Sequence, residues 1–185
     1  MKQNSKKYHT IYADPPWHQA GGRGLCRLST EYGSQEHYPL MKTEEIIALA
    51  SFINEIAAKD CHLYLWVTNT FLEHGLRVLR AWGFKYKNKI DWLKIGKDGG
   101  LCYGFGNYLR GCSESCLFGV KGHQPYKKID GKRVAERSGI ISQRRAHSEK
   151  PDELYQKIER ISYPPYIELF ARKKVSGWDA WGNEV

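Results

Sequence analysis

The chain has 185 residues, of which 41% are hydrophobic and 26% charged, with a formal net charge of +9 at pH 7. That length suits one domain with a real core, and no stretch approaches the roughly 20 apolar residues of a membrane helix. The polar, basic start from Met1 to Lys7 runs into no apolar segment, so no secretory signal is read and the expected location is cytoplasmic. Five cysteines (Cys26, Cys61, Cys102, Cys112, Cys116) show no CxxC pair and no companion ligands for zinc, so reduced thiols without function, and no metal, are expected.

A first strand is predicted over 9–13, and it ends at Asp14-Pro15-Pro16-Trp17. Proline fixes φ and donates no amide hydrogen, so the tetrad makes poor helix and poor strand and a good rigid turn. Such a turn presents one carboxylate, unpaired backbone carbonyls and one flat ring. Methylation of an exocyclic amino group of a base needs those parts. Acceptors hold the amino hydrogens so that the nitrogen lone pair faces the methyl donor, and the ring stacks on the base. An ordinary Pro-Pro turn with a partly buried Trp is the plainer alternative, weakened here by the strand before and the Trp after.

A long polar loop over 18–39 follows, a length that usually signals function or disorder. In it Tyr38 can cover a flat base and His37 can touch phosphate, with simple loop anchoring an equal alternative. Thr43 opens a helix with Ile46, Leu49, Ala50, Ile53 and Ile56 on one face and Glu44 and Glu45 in the first turn. A buried strand over 62–68 leads to a helix over 71–82 that Gly83 ends. A strand over 84–94, a glycine-rich loop over 96–111 and a strand over 114–120 come next.

The segment 122–150 concentrates positive charge. Lys127, Lys128, Lys132, Arg133, Arg137, Arg144, Arg145 and Lys150 stand against Asp130, Glu136 and Glu149. It reads as a mobile loop gripping a phosphate backbone, and Tyr103, Tyr108 and Tyr126 add rings for unpaired bases. Pro151 starts a helix with Leu154, Ile158 and Ile161 on its buried face. The last strong strand is 166–171, before a short aromatic tail, 172–185.

Strands alternating with helices imply an α/β domain with a mostly parallel central sheet, whose ligands sit outside the strands' carboxyl ends. Asp14 and Arg172 both lie just past such ends. Asn183 and Glu184 offer acceptors for ribose hydroxyls, and Arg172 a donor to ribose or carboxylate oxygens. Gly104-Phe105-Gly106 lacks the third glycine of a dinucleotide fingerprint, and Gly21 to Gly24 lacks the Lys-Ser/Thr of a P-loop. His147 and Lys150 could contact the substrate backbone or a cofactor, and for an isolated histidine solvent exposure is the plainer reading.

An ordered set of motifs extends this reading. It comprises Asp14-Pro-Pro-Trp17, Tyr38, Leu63-Tyr-Leu-Trp-Val67, Trp82-Gly83-Phe84, Trp92-Leu-Lys94, Cys116-Leu-Phe-Gly-Val-Lys121, Lys150-Pro-Asp-Glu153 with Tyr155, Glu159-Arg160, Glu168-Leu-Phe170, Arg172 and Gly182-Asn183. In these the chain resembles, over nearly its whole length, the MT-A70 family of N6-adenine methyltransferases, the bacterial and phage relatives of the catalytic subunit that modifies mRNA.

The resemblance implies a Rossmann-like methyltransferase fold with helices on both faces of the sheet, a permuted motif order and S-adenosylmethionine as cofactor. It implies that Asp14 and the Pro15 carbonyl accept from the adenine 6-amino group, that Pro16 and Trp17 shape the pocket, and that Tyr38 lies beside the base. Arg172, Asn183 and Glu184 fall where the family holds the cofactor, and Asp14 is expected to contact it as well. The family's tail-binding lysine falls near Ser113, which leaves Lys174 or another basic residue for that role. Adenine in DNA is the expected substrate, with RNA the alternative, and a non-catalytic nucleic-acid-binding subunit a third reading. Substrate contacts are expected from His37, Tyr38, Arg144, Arg145 and Lys150. A homodimer or a partner subunit is left open.

Overall fold

The structure, a computed structural model, describes residues 6–18, 40–104, 108–123, 126–144, 149–183 and 185. Strand β1 (Tyr8–Ala13) leads to the short helices α1 (Thr43–Ala48) and α2 (Ala50–Ile56). Strand β2 (Ala57–Val67) follows, and a 3-10 turn (Asn69–Phe71) opens helix α3 (Leu72–Ala81). Then come β3 (Lys85–Ile95), β4 (Ser113–Lys121), the hairpin β5 (Lys128–Ile129) and β6 (Lys132–Arg133), and β7 (Gly139–Gln143). Helix α4 (Glu153–Ile161), β8 (Tyr166–Leu169) and β9 (Trp178–Trp181) complete the chain.

Seven strands form one sheet in the order β7-β3-β4-β2-β1-β8-β9. β1 is parallel to both β2 and β8, and β8 to β9. β4 runs antiparallel to β2 and β3, and β7 is parallel to β3. This is the expected mostly parallel α/β sheet with one reversed strand.

The period of two along each strand divides the core into two chemistries. Ile11, Ala13, Leu63, Leu65, Val67, Leu117, Ile167 and Leu169 point to one face, where Ile46, Ile53, Val78, Leu79 and Trp82 of the first three helices and their flanks cover them. Tyr12, Tyr64, Trp66, Trp92, Cys116, Tyr166 and Trp178 point to the other, against Leu154, Tyr155 and Ile158 of α4. The aromatic face keeps its polar tips bonded, as buried Tyr and Trp must. Trp66 Nε1 donates to Tyr12 Oη at 2.6 Å, and the Tyr64 and Ser162 hydroxyls lie 2.7 Å apart.

Three local expectations change. The helix from Thr43 is two pieces, interrupted at Leu49, with the Glu45 carboxylate accepting from the Lys42 amide at 2.6 Å to cap the first. The segment 122–150 is not one mobile loop: it contains the β5–β6 hairpin and β7, which pairs with β3 from Asp91↔Gly139 to Ile95↔Gln143. The aromatic tail contributes β9, whose Trp178 is buried against Tyr12, Tyr155 and Tyr166.

One carboxyl lies inside the aromatic face. Glu168 of β8 is buried and accepts from the Tyr155 hydroxyl at 2.8 Å. Burial pushes its pKa up to about 7, against the lowering effect of that hydrogen bond. The folded chain therefore binds a proton that the unfolded chain releases near pH 4.5. The associated stability is full below that pH and is lost as pH rises through about 7, a loss on the order of 3 kcal/mol. Replacing Glu168 with Gln keeps the shape of the neutral carboxyl. Urea unfolding of wild type and Glu168→Gln at pH 5 and pH 8 is expected to show the variant gaining relative stability at pH 8, and an equal pH response in both contradicts the buried proton.

Candidate active site

The site forms where β1 ends between β2 and β8. Ala13 pairs with Leu65 on one side and Leu169 on the other, and the Asp14 amide still donates to the Leu169 carbonyl at 3.4 Å. The chain past β8 therefore emerges beside the tetrad. Phe170 takes a positive φ of 61°, a conformation that a bulky residue adopts only under surrounding constraint. The Ala171 amide donates to the Trp181 carbonyl at 3.1 Å, which lays Gly182 and Asn183 alongside. At Gly182 any Cβ would stand 2.5 Å from the Ala171 carbonyl oxygen, so this close approach requires glycine.

The turn itself is tied down. The Trp17 amide donates to the Pro15 carbonyl at 2.9 Å and the Met41 amide to the Pro16 carbonyl at 2.7 Å. The expectation of unpaired carbonyls is thus corrected: the tight turn folds its own Trp17 amide back onto Pro15, the neighbouring segment at Met41 supplies the amide for Pro16, and each carbonyl keeps a second lone pair. Trp17 is anchored by its indole N–H to the Trp66 carbonyl at 3.0 Å, with one ring face stacked on Phe71 at a centroid distance of 5.4 Å.

Around Asp14, Pro15, Pro16 and Trp17 lies a cleft of about 400 Å³ that also takes in Met41, Phe71, Glu114, Lys150 and the 170–172 and 181–183 segments. Its electrostatic centre is Lys150. The ammonium donates to Asp14 Oδ2 at 2.7 Å, lies 3.5 Å from Glu114 Oε2, and sits 5.5 Å above the Trp66 ring. Glu114 is also paired with Lys94, whose ammonium lies 4.7 Å from the centre of the Trp92 ring. None of the four side chains is more than 22% exposed. Two cations and two anions thus alternate along one wall, floored by indoles.

The two carboxyls respond differently to the shared lysine. Burial raises the Asp14 pKa above the ordinary carboxylate range, only partly offset by Lys150 and raised further by Glu114. For Glu114 burial acts in the same direction, but Lys150 and Lys94 together outweigh it and hold the carboxyl below its ordinary value. Glu114 has close contacts from two ammonium groups, whereas Asp14 has one, with only a lesser lowering effect from Arg172 against its burial.

Of the residues expected from sequence, Asp14, Pro15, Pro16, Trp17, Lys150, Arg172 and Asn183 line this one cleft. Lys150 reaches Asp14 itself rather than an outer surface. Lys174 is exposed and is not among the cleft's lining residues. Arg144 is exposed beyond β7, with its amide bonded to the Ile95 carbonyl at 3.0 Å. His37, Tyr38, Arg145, His147 and Glu184 lie outside the described residues. Sequence reasoning gave no site role to Glu114 or to Lys94, the latter noted only within the Trp92-Leu-Lys94 motif. The available signal was period two: Glu114 lies two residues before buried Cys116 and opposite Trp92, on the aromatic face.

A sheet of this order with a polar cleft at the ends of β1 and β8 is a Rossmann-like methyltransferase fold. The MT-A70 family model matches residues 8–184, and the chain belongs to that methyltransferase family. Among its relatives, the type II methyltransferase M.MunI of a Mycoplasma species is 33% identical over 196 residues, covering 97% of this chain and 78% of that protein. A putative N(6)-adenosine-methyltransferase MT-A70-like protein of Medicago truncatula is 31% identical, over 97% of this chain and 26% of its own length. The human N(6)-adenosine-methyltransferase catalytic subunit METTL3 is 30% identical, over 97% and 28%. The chain spans about a quarter of these two eukaryotic relatives.

Replacing Lys150 with Met removes the charge between Asp14 and Glu114 and keeps the aliphatic stem over Trp66. Both carboxyl pKa values should rise, that of Asp14 furthest, since it loses its closest cation. Titration of the side-chain carboxyl carbons by NMR in wild type and Lys150→Met measures this directly, and unchanged curves contradict the coupling.

Proposed function

We propose that this chain is an S-adenosylmethionine-dependent methyltransferase that methylates the 6-amino group of adenine in DNA. The observation that carries the reading is Asp14, fixed at the floor of the cleft by Lys150 and flanked by the segment that brings Arg172 and Asn183. The cofactor fits the residues present. A cleft of about 400 Å³ is within the usual range for a small-molecule site, roughly 300–1,000 Å³. It combines apolar surface at Phe170 and Trp181 with the Arg172 guanidinium and the Asn183 amide. Arg172 and Asn183 are proposed to hold the cofactor, with Glu184 beside them in sequence.

S-adenosylmethionine supplies, when bound, a methyl group activated by its sulfonium. The chain's part is positioning and electrostatics. The Asp14 carboxylate and the second lone pair of the Pro15 carbonyl accept the two amino hydrogens, which turns the nitrogen lone pair toward the methyl group. Pro16 and Trp17 confine the base. The ionised Asp14 accepts from both Lys150 and the amino group with no proton of its own to misdirect, so Lys150, which favours that ion, sustains activity as pH falls.

The amino nitrogen of a paired adenine is enclosed in the duplex, so the base enters single-stranded or flipped. The exposed Lys128, Lys132, Arg133, Arg137 and Arg144 are suited to the phosphate backbone, and Arg133 stacks over the Tyr126 ring at 3.2 Å from its centre. DNA is favoured by the match to M.MunI, which covers 78% of that protein. RNA is the second reading, favoured by the N(6)-adenosine-methyltransferase relatives. That the human relative is named a catalytic subunit supports a second copy or a partner chain as a further need.

The test is nucleoside mass spectrometry after incubation with S-adenosylmethionine and single-stranded DNA, duplex DNA or RNA. N6-methyladenine in DNA is expected from wild type, with a loss of at least about 10²-fold in Asp14→Ala. Product in RNA alone overturns the DNA reading, and full activity in Asp14→Ala overturns the site.

A further inference from the structure

Two cysteines meet at one residue of β3. On one edge of β3, β7 takes up the backbone groups of alternate residues: the Asp91 amide donates to the Ser138 carbonyl and the Ile95 carbonyl accepts from the Arg144 amide. Lys94 therefore turns both its backbone groups to the opposite edge. There its amide donates to the Cys112 carbonyl at 2.9 Å, and its carbonyl accepts from the Cys102 amide at 2.8 Å. In a regular antiparallel ladder both bonds go to a single partner residue. Sharing them between two residues sets Cys102 beside Cys112, end to end in the lane of β4.

The surrounding bonds fix the same geometry. Ile95 pairs with Leu101 in an antiparallel bridge, Leu93 pairs with Ser113, and the Gly104 amide donates to the Gly111 carbonyl at 3.0 Å. The chain turns back after Gly96, pairs through Cys102, leaves the lane, and re-enters it at Cys112. The two cysteines are the feet of the intervening loop, on which Tyr103, Tyr108 and Leu109 are exposed. Both thiols are free and only partly buried. A disulfide needs Cα atoms roughly 4.4–6.8 Å apart, and bonding to the same ladder position draws the two residues toward that range.

The other described thiols are poorly placed to compete. Cys61 and Cys116 are fully buried, and burial pushes the Cys61 thiol up to about 12 and Cys116 well above its ordinary value. A protonated buried thiol does not attack.

We propose that Cys102 and Cys112 are a dithiol modification site that closes to an intramolecular disulfide with a peroxide. One thiolate attacks a peroxide oxygen, the O–O bond breaks, and a sulfenic acid and one water result. The second thiol displaces the sulfenic hydroxyl, the S–S bond forms, and a second water leaves. Two electrons pass from the sulfurs to one peroxide. The bond ties the loop's feet two residues from Glu114, so the oxidant acts on a wall of the cleft without entering it.

The reduced full-length chain, freed of reductant, is treated with hydrogen peroxide under native conditions, alkylated and digested with trypsin. Cleavage at Lys97, Arg110 and Lys121 separates Cys102 from Cys112 and Cys116. Expected are the loss of two hydrogens from the intact mass and a joined peptide pair, 98–110 with 111–121, whose fragmentation places the bond at Cys112. Dithiothreitol restores both peptides, and Cys102→Ser or Cys112→Ser removes the joined pair. Full alkylation of both cysteines after peroxide, a bond to any other cysteine, or a bond between two chains overturns the proposal. The readout involves no methyl transfer, so it fails or holds separately from the catalytic reading.

Discussion

The site depends on one ammonium group. Lys150 sits between Asp14 and Glu114 in a pocket wall of indoles, where water contributes little screening. Two carboxylates brought together there without it would force one to take up a proton. With it, and with Lys94 behind Glu114, the penalty of burial is outweighed for Glu114 and partly offset for Asp14. The cost of burying four charged groups is offset in part by their alternation.

The sheet makes that cluster possible. Its two faces differ in chemistry, aliphatic under the first three helices and aromatic under α4. The charges lie where the aromatic face reaches the carboxyl ends of the strands. Trp66 and Trp92 supply flat, electron-rich floors for Lys150 and Lys94, and the same face buries Glu168 against Tyr155. Two parallel neighbours of β1 then gather the tetrad and the 170–183 segment at one end. The thiol pair joins this region through Lys94, which pairs with both cysteines by backbone and with Glu114 by side chain.

Much of this was legible in the sequence. The tetrad was readable because proline chemistry leaves few alternatives, Arg172 because it follows a strand end, and Asn183 because its amide suits ribose hydroxyls. β7 was hidden: Ile140 and Ile141 are a short apolar pair inside a run of Lys and Arg, and net charge masked the pattern. β9 was hidden because Trp178 and Trp181 near a chain end look like a tail until β8 offers an edge. Glu114 was hidden because one acid between two serines gives no local signal. Only its register opposite Trp92, set by a non-local pairing, shows that it faces Lys150. The pairing of Lys150 with Asp14 was hidden for a related reason, since a lysine at the end of a basic segment shows no link to a carboxylate 136 residues away until the fold brings them together.

The most direct measurement is calorimetric titration of the protein with S-adenosylmethionine, in wild type and in Arg172→Ala and Asn183→Ala, with folding checked by circular dichroism. A methyl donor held between the tetrad and the 170–183 segment predicts saturable one-site binding in wild type and weakened binding in both folded variants. Absence of binding to the folded wild type, or equal binding by all three, contradicts a cofactor site in this cleft.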